Sequence, residues 1–217
     1  MELKKSISQW RLYVITDEEL SHGRSHVEIA KAAILGGADV IQLRDKRAGS
    51  RNLYETALQI RKLTNEVGVQ FIVNDRLDIA LAVNADGLHV GQDDLPTAVA
   101  REYLGPRKIL GVSIRTVEEA LLAEKDGADY LGAGPVFEAR STKADAGEPR
   151  GIQLIRNICS KIALPIVAIG GINHENISSV IEAGAQCAAV ISAVVSAQNI
   201  ADATRSLKNK IAGAASR

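Results

Sequence analysis

Short runs of Val, Ile, Leu and Ala recur along the chain, separated by longer segments whose apolar residues fall at helical spacing. The runs at 12–16, 40–43, 71–73, 87–90, 109–112, 130–134, 166–169 and 188–191 read as strands. They are nearly continuous in apolar residues rather than alternating, as in strands of a parallel sheet covered on both faces. The intervening segments carry helix signals. Ser25 with Glu28 and Thr116 with Glu119 fit a capping box, where hydroxyl and carboxylate each satisfy an orphan amide of the first turn. Leu53, Ala57, Ile60 and Leu63 share one helical face, so an amphipathic helix is expected to cover a strand there.

A weak repeat runs through this pattern. Gly37-Ala38-Asp39, Asn84-Ala85-Asp86, Gly127-Ala128-Asp129 and Gly184-Ala185-Gln186 each directly precede an even-numbered strand of the series. Two βα pairs repeated four times produce that recurrence. Eight strand–helix units without a reversal signal predict an α/β fold, a single (β/α)8 TIM barrel over residues 1–217, in preference to an open doubly wound sheet. The chain is short for such a barrel, so its loops must be lean.

Composition narrows the partners. The 26 basic and 26 acidic residues cancel, so no global field favours nucleic acid or an anionic membrane, and any anion must be met locally. Small-molecule substrates are expected, and a homo-oligomer is compatible with the sequence. Cys159 and Cys187 lie far apart without metal-like spacing and are expected to be buried thiols. The stretch after Met1 lacks the apolar core of a signal peptide, and no apolar run reaches the roughly 18 residues that span a bilayer. A cytoplasmic protein is expected. His22, His26 and His174 fall in turns or helix starts and are expected at the surface; His89, inside the fourth strand, can face the interior but has no evident nucleophile to serve.

In such a barrel the site lies at the carboxyl ends of the strands. Gln42, Arg44 and Lys46 are spaced by two, so an extended backbone sends all three to the barrel mouth and Ile41 and Leu43 to the helices. An Arg fork beside a Lys suits a phosphate or diphosphate, the bland alternative being ion pairs to Asp45 or Asp75. Asp75 and Asp94 end neighbouring strands and can converge on one cation, with Asn74 beside them; few carboxylates next to a phosphate site suit Mg²⁺. Asp93 or Asp94 taken singly reads equally well as a helix cap. Gly170-Gly171 and Ile191-Ser192 offer backbone amides for a monophosphate at the recurrent phosphate position of these barrels. The long loop after the sixth strand carries Arg140, Thr142 and Lys143, donors on a segment that is either a closing lid or a solvated loop.

These segments resemble one family. Leu-Tyr-Val-Ile-Thr-Asp, Gln-Leu-Arg-Asp-Lys, Val-Asn-Asp-Arg-Leu-Asp-Ile-Ala, Asp-Gly-Leu-His-Val-Gly-Gln-Asp-Asp, Gly-Pro-Val-Phe, Thr-Lys-Ala-Asp-Ala-Gly, Ala-Ile-Gly-Gly-Ile and Val-Ile-Ser-Ala stand in the order found in thiamin phosphate synthases, over nearly the whole chain. The resemblance implies a transferase that joins hydroxymethylpyrimidine diphosphate to hydroxyethylthiazole phosphate. It implies that Gln42, Arg44, Lys46, Asn74, Ser113 and Lys143 hold the pyrimidine diphosphate and that Asp75 and Asp94 hold Mg²⁺. Thr142, Gly171, Ile191 and Ser192 would contact the thiazole phosphate, and Arg44, Lys46, Ser113 and Lys143 would be the catalytic set. The chain departs from the family at Arg140, where a Thr is usual; the guanidinium is expected to take over a phosphate contact. Two rival readings remain: a thiazole tautomerase-like relative, faintly suggested by Glu138, and a non-catalytic barrel that binds a thiamin precursor.

Overall fold

A computed structural model describes residues 7–138 and 148–215. Strands β1 (Leu12–Ile15), β2 (Val40–Leu43), β3 (Gln70–Asn74), β4 (Gly87–Val90), β5 (Ile109–Ile114), β6 (Tyr130–Ala133), β7 (Ile166–Ala168) and β8 (Cys187–Val190) form a closed barrel in chain order. Each pairs parallel with the next, and β8 closes on β1 through Leu12↔Ala188, Tyr13↔Ala189 and Val14↔Val190. The helices follow in alternation: α1 (His26–Leu35), α2 (Ser50–Val67), α3 (Leu77–Ala82), α4 (Thr97–Leu104), α5 (Val117–Lys125), α6 (Gly151–Cys159), α7 (Ile177–Glu182), the single turn α8 (Ser192–Val195) and α9 (Ile200–Ala215). The expected (β/α)8 TIM barrel is the observed fold. β5 outruns its apolar stretch because its ladder with β6 continues through Ser113↔Gly132 and Ile114↔Ala133. No helix among the described residues is long and apolar enough to cross a membrane.

The helix signals resolve into specific caps. Ser25 Oγ accepts the Glu28 amide while Glu28 accepts the Ser25 amide, a complete capping box. At α5 only half the box forms. Thr116 Oγ1 accepts the Glu119 amide, but Glu119 reaches past it to the Arg115 amide at 2.5 Å. On α2, Leu53, Ala57 and Ile60 are buried as expected, but the fourth buried position is Thr64, not Leu63. Thr64 enters the core because its hydroxyl donates to the Arg61 carbonyl one turn back, leaving its methyl for packing.

The repeated triplets form the opposite, amino-terminal rim of the barrel. The first residue of each is left-handed, with φ of 93° at Gly37, 52° at Asn84, 95° at Gly127 and 108° at Gly184, the conformation that ends a helix and turns the chain. The third residue then brackets the start of the preceding strand. Asp86 donates its amide to the Phe71 carbonyl and accepts the Phe71 amide on Oδ2; Asp129 treats Leu110 in the same way, and Asp39 treats Leu12. A cation from a covering helix closes each bracket: Arg61 on Asp86 at 2.6 Å, Arg101 on Asp129 at 2.5 Å, and Lys208 on Asp39. Gln186 keeps the backbone half by donating its amide to the Ile166 carbonyl, while its side chain turns to the Ile7 carbonyl.

Inside the barrel, Trp10 stacks on Tyr13 (centroids 5.9 Å apart) and meets Tyr130 edge-on at 5.2 Å, forming an aromatic floor. Two sequence expectations change here. His26 is buried, not exposed, because its Nδ1 bonds Thr16 Oγ1 at 2.7 Å and its Nε2 faces Asp45 Oδ2 at 3.4 Å. Of the two thiols only Cys187 is buried; Cys159, on the outer helix α6, is half-exposed.

Candidate active site

The carboxyl ends of the strands surround a cavity. Arg44, Lys46, Asn74, Asp75, Asp94 and Ser113 line one wall, from β2 to β5, while Gly171, Ile191 and Ser192 line the facing wall, from β7 and β8. The first wall is built around two acids. Asp75 takes a left-handed φ of 60° directly after β3 and still donates its amide to the His89 carbonyl at 2.8 Å. That turn is costly for a residue with a Cβ, and an Asp tolerates it better than most. Asp94 is fixed by the Gly91 amide, which donates to its Oδ2 at 2.7 Å, and it shares a hydrogen bond with Asp75.

Burial, followed by the hydrogen bond with Asp94 and the charge of Asp94, pushes the Asp75 carboxyl up to about 6; Lys46 and Arg44 pull it the other way. Two carboxylates in contact cannot both stay charged cheaply without a cation between them. Among the described residues no third His, Cys, Asp or Glu completes a metal-binding cluster. Two hard oxygen donors suit Mg²⁺, which keeps waters and takes its remaining ligands from a phosphate. Asp93, by contrast, is exposed.

Of the cations on this wall, Arg44 faces an acid from outside it. Arg44 lies 3.9 Å from Asp17, with both side chains nearly buried, and its buried Nε has no hydrogen-bond partner. Asp45 is engaged elsewhere: its Oδ1 accepts the Arg47 and Ala48 amides and its Oδ2 faces His26. His26, bonded in turn to Thr16, thereby ties the loop after β2 to the end of β1.

On the facing wall, Gly170 and Gly171 have φ of 102° and 62°. Space is as tight as conformation: a Cβ on Gly170 would lie 2.5 Å from Pro135 Cα, and one on Gly171 would lie 2.6 Å from the Glu138 carbonyl. The Phe137 amide donates to the Gly170 carbonyl, so the segment after β6 is laced onto the segment after β7. Ser192 opens α8, whose carboxyl end is gripped by Arg24 through the Val195 and Ala197 carbonyls at 3.0 and 2.9 Å. A guanidinium there satisfies the carbonyls that a one-turn helix leaves unpaired.

A family model described as thiamine monophosphate synthase matches residues 12–194. The chain belongs to the thiamine monophosphate synthase family. The thiamine-phosphate synthase of Methanospirillum hungatei is 58% identical over 195 residues, covering 89% of this chain and 94% of that protein. That of Chloroflexus aurantiacus is 54% identical over 202 residues, 93% of each chain. Among solved structures, thiamine phosphate pyrophosphorylase from Pyrococcus furiosus shares 43% identity and superposes with a TM-score of 0.88 over 98% of both chains.

Of the residues singled out by resemblance to the thiamine monophosphate synthase family, Arg44, Lys46, Asn74, Asp75, Asp94, Ser113, Gly171, Ile191 and Ser192 meet around this one cavity. Gln42 stands deeper. It is almost fully buried, and its Nε2 donates to the Tyr13 hydroxyl at 2.8 Å. Arg140, Thr142 and Lys143 lie outside the described residues. Sequence reasoning assigned no part to His89, which bonds Ser113 Oγ through Nε2 at 2.9 Å. The register pairing His89 with Gly111, and Ser113 with Gly132, is what brings them together. Gln92 was missed as well: its Nε2 donates to the Ser113 carbonyl at 2.6 Å and so holds the backbone of that residue.

Proposed function

We propose that this protein is a thiamine-phosphate synthase that joins 4-amino-2-methyl-5-hydroxymethylpyrimidine diphosphate to 4-methyl-5-(2-hydroxyethyl)thiazole phosphate. The products are thiamin phosphate and diphosphate. The observation that carries this reading is one cavity with two unlike walls, an acid pair beneath Arg44 and Lys46 facing a wall of Gly171, Ile191 and Ser192. The first wall suits a metal-bound diphosphate and the second a monophosphate, which are the two anions the reaction brings together. The relatives named thiamine-phosphate synthase, more than half identical to this chain, support the same reading.

Asp75 and Asp94 would hold Mg²⁺, a cation that would offset the closeness of their two carboxyl groups. The metal supplies neutralisation of charge on the leaving diphosphate. Arg44 and Lys46 meet the same oxygens, and the Arg44 Nε, buried without a partner, is a donor already desolvated for this purpose. The bond between the pyrimidine methylene and the diphosphate oxygen breaks with its electron pair leaving on oxygen, and the aminopyrimidine spreads the resulting positive charge over its ring. The thiazole nitrogen then forms the new carbon–nitrogen bond with its lone pair, oriented by its phosphate against Gly171 and Ser192. No proton has to move in either step, so a strong general base is not needed. Arg140, Thr142 and Lys143, outside the described residues, are proposed to contact the phosphates.

Diphosphate release, measured with both substrates and with or without Mg²⁺, tests the proposal. Release that requires both substrates and the metal is expected. Isomerisation of a thiazole phosphate without metal or diphosphate release would establish the tautomerase alternative, and ligand binding without turnover would establish the binding-protein alternative.

A further inference from the structure

Beneath the cavity a single file of hydrogen bonds crosses the barrel interior. Gln42 Nε2 lies 2.8 Å from Tyr13 Oη, Tyr13 Oη 2.9 Å from Tyr130 Oη, Tyr130 Oη 2.9 Å from His89 Nδ1, and His89 Nε2 2.9 Å from Ser113 Oγ. The file begins at a buried amide on β2 and ends at a hydroxyl that lines the cavity. Its members come from β2, β1, β6, β4 and β5, so only closure of the barrel brings them into line.

The interior is cut to fit it. A Cβ on Gly111 would lie 2.1 Å from the Tyr130 ring, and one on Gly132 would lie 3.0 Å from His89 Cε1. Trp10 braces both tyrosine rings from below. An apolar core would fill this volume without the need to satisfy five polar side chains, so the cost of building the file calls for a return.

Hydrogen-bond polarity supplies one. An amide nitrogen can only donate, so Tyr13 accepts from Gln42 and must spend its own proton on Tyr130. Tyr130 then spends its proton on His89 Nδ1. An imidazole that accepts at Nδ1 carries its proton at Nε2, which donates to Ser113 Oγ. Ser113 is left with its hydroxyl hydrogen free to point into the cavity. Burial pushes both tyrosine hydroxyls upward, which keeps them protonated and the file uncharged.

We propose that Gln42, Tyr13, Tyr130 and His89 act as a polarity relay whose function is to present the Ser113 hydroxyl as a hydrogen-bond donor to an acceptor atom of the pyrimidine diphosphate. His89 is therefore a positioning residue, neutral and protonated at Nε2, and not an acid or base of the reaction. The choice of substrate rests on the function proposed above; the direction of the relay does not. If the Gln42 amide were turned the other way, every bond in the file would reverse, His89 would carry its proton at Nδ1, and Ser113 would spend its hydrogen on the imidazole.

The tautomer is the readout. In the ligand-free protein labelled with ¹⁵N-histidine, His89 is expected to show a protonated Nε2 and an unprotonated Nδ1. Gln42→Met, which conserves volume but removes the donor, is expected to turn this into a mixture of tautomers. A wild-type His89 protonated at Nδ1 overturns the relay, as does a Gln42→Met spectrum unchanged from wild type. Turnover supplies a second test. Tyr130→Phe is expected to lower kcat by roughly tenfold, the scale of one buried hydrogen bond, and to cost less than about twofold once Ser113→Ala is present. Full additivity of the two losses overturns the relay and leaves Tyr130 a packing residue. A wild-type protein that releases no diphosphate counts against the proposed function alone, since the spectra are read without substrate.

Discussion

At the scale of single residues, the two neighbouring acids after β4 divide their work. Asp94 is half-buried, receives the Gly91 amide and touches Asp75, whereas Asp93 is exposed. Asp94→Ala is expected to lower kcat/KM by at least about a hundredfold, the rate equivalent of roughly 3 kcal/mol of lost charge stabilisation. Asp93→Ala should stay within about threefold of wild type. Steady-state kinetics at saturating Mg²⁺ decides the matter, and equal losses would refute the division. Strand alternation alone placed Gln42, Arg44 and Lys46 on one face; Gln42 does turn inward, but β2 ends at Leu43, and Arg44 and the exposed Lys46 line the cavity from beyond the strand. Depth was not legible, because alternation gives a direction and not a height along the barrel. Gln42 consequently lies a layer below the two cations, bonded to Tyr13. The burial of His26 was equally hidden, since its partners Thr16 and Asp45 come from two different strand ends.

At the scale of elements, the repeated triplets prove to be strand-start brackets, a structural device on the rim away from the cavity. Asp86→Ala would strand the amide of the buried Phe71 and remove the partner of the partly buried Arg61. A loss of about 1–3 kcal/mol is expected in urea unfolding, with kcat unchanged, because one buried donor goes unsatisfied far from the chemistry. A fall in kcat greater than stability explains would show that the rim communicates with the site. The recurrence was visible in the sequence because the same backbone problem, a helix end turning into a strand, arises at each unit. Its solution was not, because each aspartate bonds a strand some fifteen or more residues earlier in the chain. The glycine pair after β7 carries a similar double meaning. Its amides were expected to serve a phosphate, yet the approach of Pro135 and the Glu138 carbonyl already forbids a side chain at either position.

At the scale of the whole molecule, the charge state of the acid pair links pH, metal and stability. Asp75 titrates at about 6 in the folded protein, above the roughly 3.9 of an unfolded Asp. The folded state therefore binds more protons in that window, and the stability contributed by this group is present below it and lost as pH rises through about 6. A cation held by Asp75 and Asp94 restores what the lost proton gave up. Mg²⁺ is thus expected to raise the melting temperature more at pH 7.5 than at pH 5 in differential scanning calorimetry, in proportion to how strongly it binds the folded state. An equal rise at both pH values would place the metal elsewhere.

The chain by itself determined the eight strands, their parallel order, the cation-rich segment after β2, the acids after β3 and β4, and the glycine turn after β7. All of these are written in local patterns, because apolar periodicity, caps and turn residues act over a few neighbours. Only the closed barrel decided which side chains share a layer. The file from Gln42 to Ser113 draws on five strands, and the acid pair meets across two. Contacts of that kind depend on strand stagger and on where each ring finds room, and those are properties of the assembled sheet rather than of any one segment.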